Sequence, residues 1–560
     1  MDPVAIIIGA GPSGIAMAHK LKHTLGYENF TIYEKLDGVG GTWRLNNYPG
    51  CGCDVPSHLY SFSFNLNPNW SRELCEQAEI LQYIEDTVDK FDLRQFIQTS
   101  IECVGARWNK DRDEWEVRLK DLKTGIEFVR RANIFVSAVG GISFPRDVHF
   151  EGMEDFKGPM FHTARWDHSV KYEGKRMAVI GNGCSAAQVV PSVADHVSLV
   201  KQYARSPQWY HDRPNHIFTE GEKMAFRYIP FIIQLRRLLT FLEIDFESYI
   251  YRPTPKGIKA RLQKEEEARQ YIYKTAPKKY HEILPPKFEL GCKRRIADPQ
   301  YLECLHKPTV ELVPEGIERI TEDGIVSLSG KFDKFDIIVL ATGFKVSQFL
   351  TPMEIIGVDG KTLDQQWKES RGAQAYLGTF VHNFPNMAII FGPNTFPANN
   401  SALFACEVQV DYAAKALFAP LIDKRARVIE VQENVENRTS NVIQARLRNS
   451  VFQGNCSNWY LSEFGRNAAS WPDTAASFWA ATYFPKWKNF NMSGGSHFWF
   501  INSLLRRVHT SSLFTKTLVL ALLAVGLRPL FSRTLNTGNF PGTTDVVKNF
   551  TRNLTSWKHV

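Results

Sequence analysis

The stretch from Val4 to Glu34 constrains the fold of this chain more than any other. Val4 to Ile8 is an unbroken apolar run that ends at Gly9, Ala10, Gly11, Pro12, Ser13 and Gly14. A helical pattern follows to Leu21, and a second apolar run, Phe30 to Tyr33, closes on Glu34, twenty residues after the third glycine. Strand, glycine turn, helix, strand and terminal acid together make the βαβ unit that holds a dinucleotide. Gly9 allows the tight turn, Gly11 lets backbone approach a pyrophosphate, and Gly14 lets helix and strand pack closely. The helix N-terminus, with Ser13 in its first turn, faces the negative charge. Glu34 can hydrogen-bond a ribose hydroxyl.

A second unit of the same kind starts at Arg176. Met177 to Ile180 reads as a buried strand, and Gly181, Asn182, Gly183, Ser185 and Ala186 give a turn whose third small residue is alanine. The next strand, Val197 to Val200, runs on through Lys201 to Arg205 without an acid. An acid there would repel a 2′-phosphate, whereas Arg205 can pair with one bidentately. NADPH is therefore expected at this turn rather than NADH.

Two nested nucleotide units in 560 residues imply an α/β protein of two or three discontinuous domains. The expected division is a flavin-type domain over 1–150 and 330–500 and a second nucleotide domain over 151–210 and 291–329. A helical insertion of mixed charge fills 211–290, and a basic, apolar tail runs over 501–560. That tail holds eight basic side chains against one acid, so the first 500 residues are close to neutral. A body of that kind disfavours nucleic acid as a partner. Nine cysteines with no C-x-x-C pair and no paired metal spacing read as reduced structural thiols in an intracellular chain, with no metal site. No signal peptide precedes Val4, so a cytoplasmic location is expected.

Two further patterns narrow the chemistry. Phe156, Gly158, His162 and Trp166 have the spacing F-x-G-x-x-x-H-x-x-x-W just ahead of the second turn. Upstream, Gly40, Gly41, Trp43, Tyr48, Pro49, Gly50 and Asp54 stand at the spacing G-G-x-W-x-x-x-x-Y-P-G-x-x-x-D. With these residues the chain resembles the type I Baeyer–Villiger monooxygenases, FAD-binding members of the flavin-containing monooxygenase superfamily, and in particular its fungal secondary-metabolism type. The resemblance runs over most of residues 1–500.

That resemblance implies two Rossmann-like domains, for FAD and NADP, and an NADPH- and O₂-dependent oxygen insertion beside a ketone. In such enzymes reduced flavin forms a C4a-peroxide, whose anion attacks the carbonyl carbon to give an ester or lactone. Arg294, in a Gly291-Cys292-Lys293-Arg294 segment, would steady the negative charge; Asp54 would orient that arginine. Thr42, Trp43, Arg44 and Tyr60 would pack along the flavin. Arg205 with Ser206 would hold the 2′-phosphate, and Trp459 would close over NADP. Phe156, Gly158, His162 and Trp166 would couple the two domains.

The resemblance leaves a bulky apolar natural product as the expected substrate class and leaves oligomeric state open. An N- or S-oxygenating flavin monooxygenase, or a non-catalytic nucleotide-binding scaffold tethered to a membrane, are the alternatives. The tail bears on the second. Leu518 to Leu527 is ten residues without a polar side chain, between Lys516 and Arg528. Segment 512–531 is expected to pack as a helix or lie at a lipid interface, with a full span as the competing reading.

Overall fold

In a computed structural model the described residues are 2–397, 400–454, 456 and 458–510. The first glycine unit builds a five-stranded parallel sheet, in the order Met387–Ile389, Ile134–Ser137, Ala5–Ile8, Phe30–Tyr33, Ile97–Gln98. Every residue of Ala5–Ile8 is buried, as a central strand covered on both faces requires. Its register sets Ala5 beside Phe30 and Ile8 beside Tyr33. The second unit builds a like sheet, Val310–Val313, Leu199–Tyr203, Arg176–Ile180, Ile337–Leu340, Met160–His162.

The strand Ile337–Leu340 corrects the expected boundary at 330. It pairs with Arg176–Ile180 and Met160–His162, so the chain is still in the second sheet at Leu340. The switch back comes after it, at Ala341 to Phe344. A buried apolar strand carries no label of which sheet it joins, and only its partners decide that.

An antiparallel meander, Ile101–Asn109, Glu114–Asp121 and Glu127–Ala132, packs on the first sheet with Trp115 in the shared core. Between Tyr210–His211 and Ile296–Ala297, which pair in parallel, lie three long helices: Glu220–Tyr228, Ile232–Glu247 and Pro255–Thr275. Glu220–Tyr228 starts from a capping box in which Thr219 and Glu222 exchange bonds with each other's backbone.

Met1–Ser503 clusters as one compact unit and a second begins at Leu504, inside the helix Trp499–Thr510. The apolar run expected at 512–531 lies outside the described residues. Among the described residues no helix is long and apolar enough to cross a membrane.

Candidate active site

Gly11 caps the helix Pro12–His19, and Pro12 at its first position suits the helix start. Glu34 straps this turn to the next strand. One carboxylate oxygen accepts from the Ala10 N–H at 2.6 Å and the other from the Leu36 N–H at 2.8 Å. Burial raises the Glu34 carboxyl above its ordinary range, and these backbone donors pull part of the way back. Ser13 Oγ donates to Cys406 Sγ at 3.1 Å.

The loop after Gly41 forms one helical turn, Thr42–Leu45. Trp43 Nε1 donates to the Tyr60 hydroxyl at 3.0 Å, with the two rings edge to face at 5.5 Å. Thr42, Trp43 and Tyr60 line the same cavity wall. Arg44 does not join them. Its guanidinium pairs with Glu85 at 2.6 Å and Asp37 at 3.2 Å and donates to the Val39 carbonyl at 2.8 Å. The expectation that the Arg44 side chain packs along a flavin is corrected: its neighbours on one helical turn face opposite ways, and two carboxylates claim it.

At the second turn Gly183 caps the helix Cys184–Val193, in whose first turn Ser185 and the buried Ala186 stand. Asn182 Nδ2 donates to the Ser206 carbonyl, tying the turn to the segment that carries Arg205. Lys201 is taken by Asp333 at 2.7 Å and Glu311 at 2.9 Å, and it is buried. Arg205 stands exposed on the cavity wall, and Lys293 Nζ donates to Ser206 Oγ at 2.9 Å beside it. Burial first, and the Arg205 charge second, push the Lys293 ammonium below its usual range. Two cations crowded in this way gain from a bound anion. The sequence marked Lys293 only as a neighbour of Arg294, and nothing local to it gave the spatial link to Ser206.

Arg294 and Asp54, 240 residues apart, meet between the two turns. Arg294 Nη2 lies 2.9 and 2.8 Å from the two Asp54 oxygens, and Nε lies 3.2 Å from the second. Each side chain keeps about a third of its surface open, 32% and 30%, and both line the cavity. Burial alone would raise the Asp54 carboxyl. Arg294, with Arg213 behind it, overrides this and holds it below the ordinary carboxylate range. Asp54 in turn raises the proton affinity of Arg294. Tyr210 and His211, laddered to Ile296 and Ala297, fix the backbone just past the arginine.

Cys292 and Cys456 are joined as a disulfide, while the other seven cysteines are free. This corrects the expectation that all the thiols are reduced and unpaired. The partners lie 164 residues apart, a spacing without sequence signature; folding alone brings them together. The bond ties the Arg294 loop to the segment of Trp459 and Tyr460, whose rings stand 4.3 Å apart. Trp459 faces the cavity edge-on to Phe396 at 5.5 Å.

The F-x-G-x-x-x-H-x-x-x-W residues sit behind the wall rather than on it. A Cβ at Gly158 would fall 2.8 Å from the Phe156 ring and 2.4 Å from the Asp336 carbonyl oxygen. His162 ends its strand, accepts from the Ala164 N–H through Nδ1 at 3.0 Å, and stands edge-on to Phe344 at 5.7 Å. Burial takes its imidazole down to about 4, so it is neutral. Trp166 packs edge-on against Phe161 and Tyr172 at 5.1 and 6.3 Å. Of these side chains, His162 packs on the Gly343–Phe344 crossover.

Both helix heads open on one cavity of roughly 1620 Å³. A Cβ on Gly183 would meet nothing within 4 Å, so the backbone there is bare toward the cavity. Gln208 Oε1 and Thr342 Oγ1, on residues of the wall, are buried without a hydrogen-bond partner among the described residues. An open glycine cradle at a helix head, a cation pair and unpaired buried oxygens suit a dinucleotide, and the cavity that both turns share has Arg294 and Asp54 on its wall.

Residues 6–218 match the family described as pyridine nucleotide-disulphide oxidoreductase. A Baeyer-Villiger monooxygenase of Pseudomonas aeruginosa is 36% identical over 85% of this chain and 89% of its own length. The FAD-binding monooxygenase ktnD of Aspergillus niger is 33% identical over 87% of this chain and 81% of its own. Among solved structures, an oxidized steroid monooxygenase bound to NADP aligns with a TM-score of 0.74 at 27% identity, over 88% of this chain and all of that one.

Proposed function

We propose that this chain, which belongs to the Baeyer–Villiger monooxygenase family, converts a ketone, O₂, NADPH and a proton into an ester or lactone, NADP⁺ and water. FAD, when bound, would supply the acceptor for hydride from NADPH and the chemistry that activates O₂. The first turn, with Thr42, Trp43 and Tyr60, holds FAD; the second, with Arg205, Ser206 and Lys293, holds NADPH by its 2′-phosphate.

The observation that carries the reading is the bidentate Arg294–Asp54 pair on the wall between the two turns. Negative charge develops on oxygen before it attacks the carbonyl carbon. A guanidinium already held in place stabilises that charge without reorganising when it forms. Arg294 also holds its own proton tightly, so it offers hydrogen bonds without protonating the oxygen. That favours attack on a carbonyl over transfer to a heteroatom.

The apolar wall near Phe391, Phe396 and Leu403 suits a bulky apolar ketone. Oxygen from oxygen-18 gas should appear once in the product while NADPH is consumed under air. Arg294→Ala should still accept hydride and lose oxygen insertion; lactone formation at the wild-type rate would remove Arg294 from the chemistry.

The tail reading also extends to location: segment 512–531, apolar between basic residues, would rest on the anionic surface of a membrane from the cytoplasmic side. Outward-facing Phe231, Leu235, Leu238, Leu239, Leu242 and Phe246, at helical spacing on and before Ile232–Glu247, add apolar surface of the same kind. Sedimentation with phosphatidylserine vesicles, weakened by salt, is the expected result; no sedimentation at low salt would exclude it.

A further inference from the structure

The segment after Tyr210–His211 brings a second cation to Asp54. Arg213 Nη2 donates to the carbonyl of Cys53, the residue before Asp54, at 2.7 Å. Arg213 Nε is buried and has no hydrogen-bond partner among the described residues. The segment is fixed at both ends. Upstream it is laddered to Ile296 and Ala297, just past Arg294. Downstream the Asn215 side chain bonds both backbone groups of Leu74, at 2.8 and 3.1 Å, and the His216 carbonyl accepts from the Glu73 N–H. Three stretches of chain, 53–54, 210–216 and 294–297, are thereby locked into one corner.

That corner faces an electrostatic problem. Arg294 is the partner of Asp54, yet the proposed chemistry asks it to turn toward charge developing on oxygen. A partly buried carboxylate that loses its partner has its pKa raised and takes up a proton more readily. Protonated Asp54 would then be an acid beside an oxygen that must stay anionic.

The other groups facing Asp54 cannot replace Arg294. His211 is neutral, held down to about 3 by burial first and by Arg295 second. Cys53, Cys184 and Tyr60 are pushed up by burial and stay protonated and uncharged. Arg213 is the cation that remains.

We infer that Arg213 is the standing counter-charge of Asp54, a positioning residue that keeps the carboxylate ionised while Arg294 attends to the reacting oxygen. The inference rests on the reading of Arg294 given above. The buried Nε of Arg213 makes no hydrogen bond among the described residues, so that guanidinium keeps a donor in reserve beside the 53–54 backbone.

The test removes Arg294 to mimic its departure and reads the protonation of Asp54 directly. The infrared carbonyl band of a protonated carboxyl is followed against pH in resting protein and assigned by its loss in Asp54→Asn. Arg294→Ala alone should leave Asp54 ionised at neutral pH. Adding Arg213→Gln should raise its midpoint by about one unit or more, a tenfold change in proton affinity, and adding Arg213→Lys instead should keep it low. Equal midpoints with and without the Arg213 charge, or a lysine variant that behaves like the glutamine one, overturn the inference.

Arg213→Met, of similar length and without charge, carries the same comparison should the glutamine variant not fold. With Arg294 intact, Arg213→Gln should lower product formed per NADPH on the acid side, where Arg213→Lys restores it. The two readings fail separately: full lactone formation by Arg294→Ala sinks the role of Arg294, whereas the infrared midpoints report on Arg213 alone.

Discussion

The two glycine turns share one plan and spend their third small residue differently. In the first, a Cβ on Gly14 would sit 2.0 Å from the Gly9 carbonyl oxygen, so helix and turn are in contact there. In the second, Ala186 occupies the matching place, fully buried and tolerated. Beyond the turns the contrast is electrostatic. The first unit ends on Glu34, whose oxygens strap its own backbone. The second ends on Arg205 with Lys293 drawn in from far along the chain. The first turn is close-packed against its helix, whereas the second sets two cations at the cavity wall.

The largest expected effect breaks the steric half of that contrast. Gly14→Ala should abolish flavin retention and cost about 3 kcal/mol or more, because backbone and not a flexible side chain must give way. Absorbance of the purified variant and its thermal melt check this. A variant that keeps its flavin would show that the two turns are sterically alike.

The electrostatic half is tested next. Arg205→Glu should raise KM for NADPH about 100-fold and leave NADH nearly unaffected, as loss of a bidentate phosphate contact is worth roughly 2–3 kcal/mol. Lys293→Ala should follow in the same direction with about a tenfold effect. Equal losses with NADH and NADPH would mean that neither cation reads the 2′-phosphate.

A smaller effect lies in pH. The His162 imidazole, buried behind the second sheet, titrates at about 4, below the roughly 6.5 of an unfolded histidine. Between those values the unfolded chain binds the extra proton, so stability falls as pH drops from 6.5 toward 4. His162→Gln should flatten the melting-temperature profile there by a degree or two, order of magnitude, read by calorimetry. His19 and His58, also held at about 4, and His211, held at about 3, keep the remaining slope.

How far the sequence could be read follows from how local each feature is. Gly9, Gly11 and Gly14 sit within one turn, so a regular spacing identifies the unit before any folding. Asp54 and Arg294 were named from two separate patterns, and their meeting is a tertiary fact that neither pattern contains. Arg44 was misplaced because one helical turn points neighbours to opposite sides, and the choice fell to Glu85 and Asp37. The cystine, the Arg213 contact with Cys53 and the late crossover at Leu340 all depend on partners more than a hundred residues away. Hydrophobic period and motif spacing carry no trace of such partners.

The mildest substitution separates shape from recognition most cleanly. At Gly183 an added Cβ meets no protein atom within 4 Å and the backbone does not need a left-handed conformation. Gly183→Ala should therefore leave the melting temperature within about a degree of wild type, since a small addition into open space stays within roughly 0.5 kcal/mol. Yet the methyl would project toward the space assigned to the pyrophosphate. KM for NADPH should rise several-fold with flavin content unchanged. If affinity stays at the wild-type level while stability drops, the open side of this turn faces protein rather than nucleotide, and the assignment of the second unit has to move.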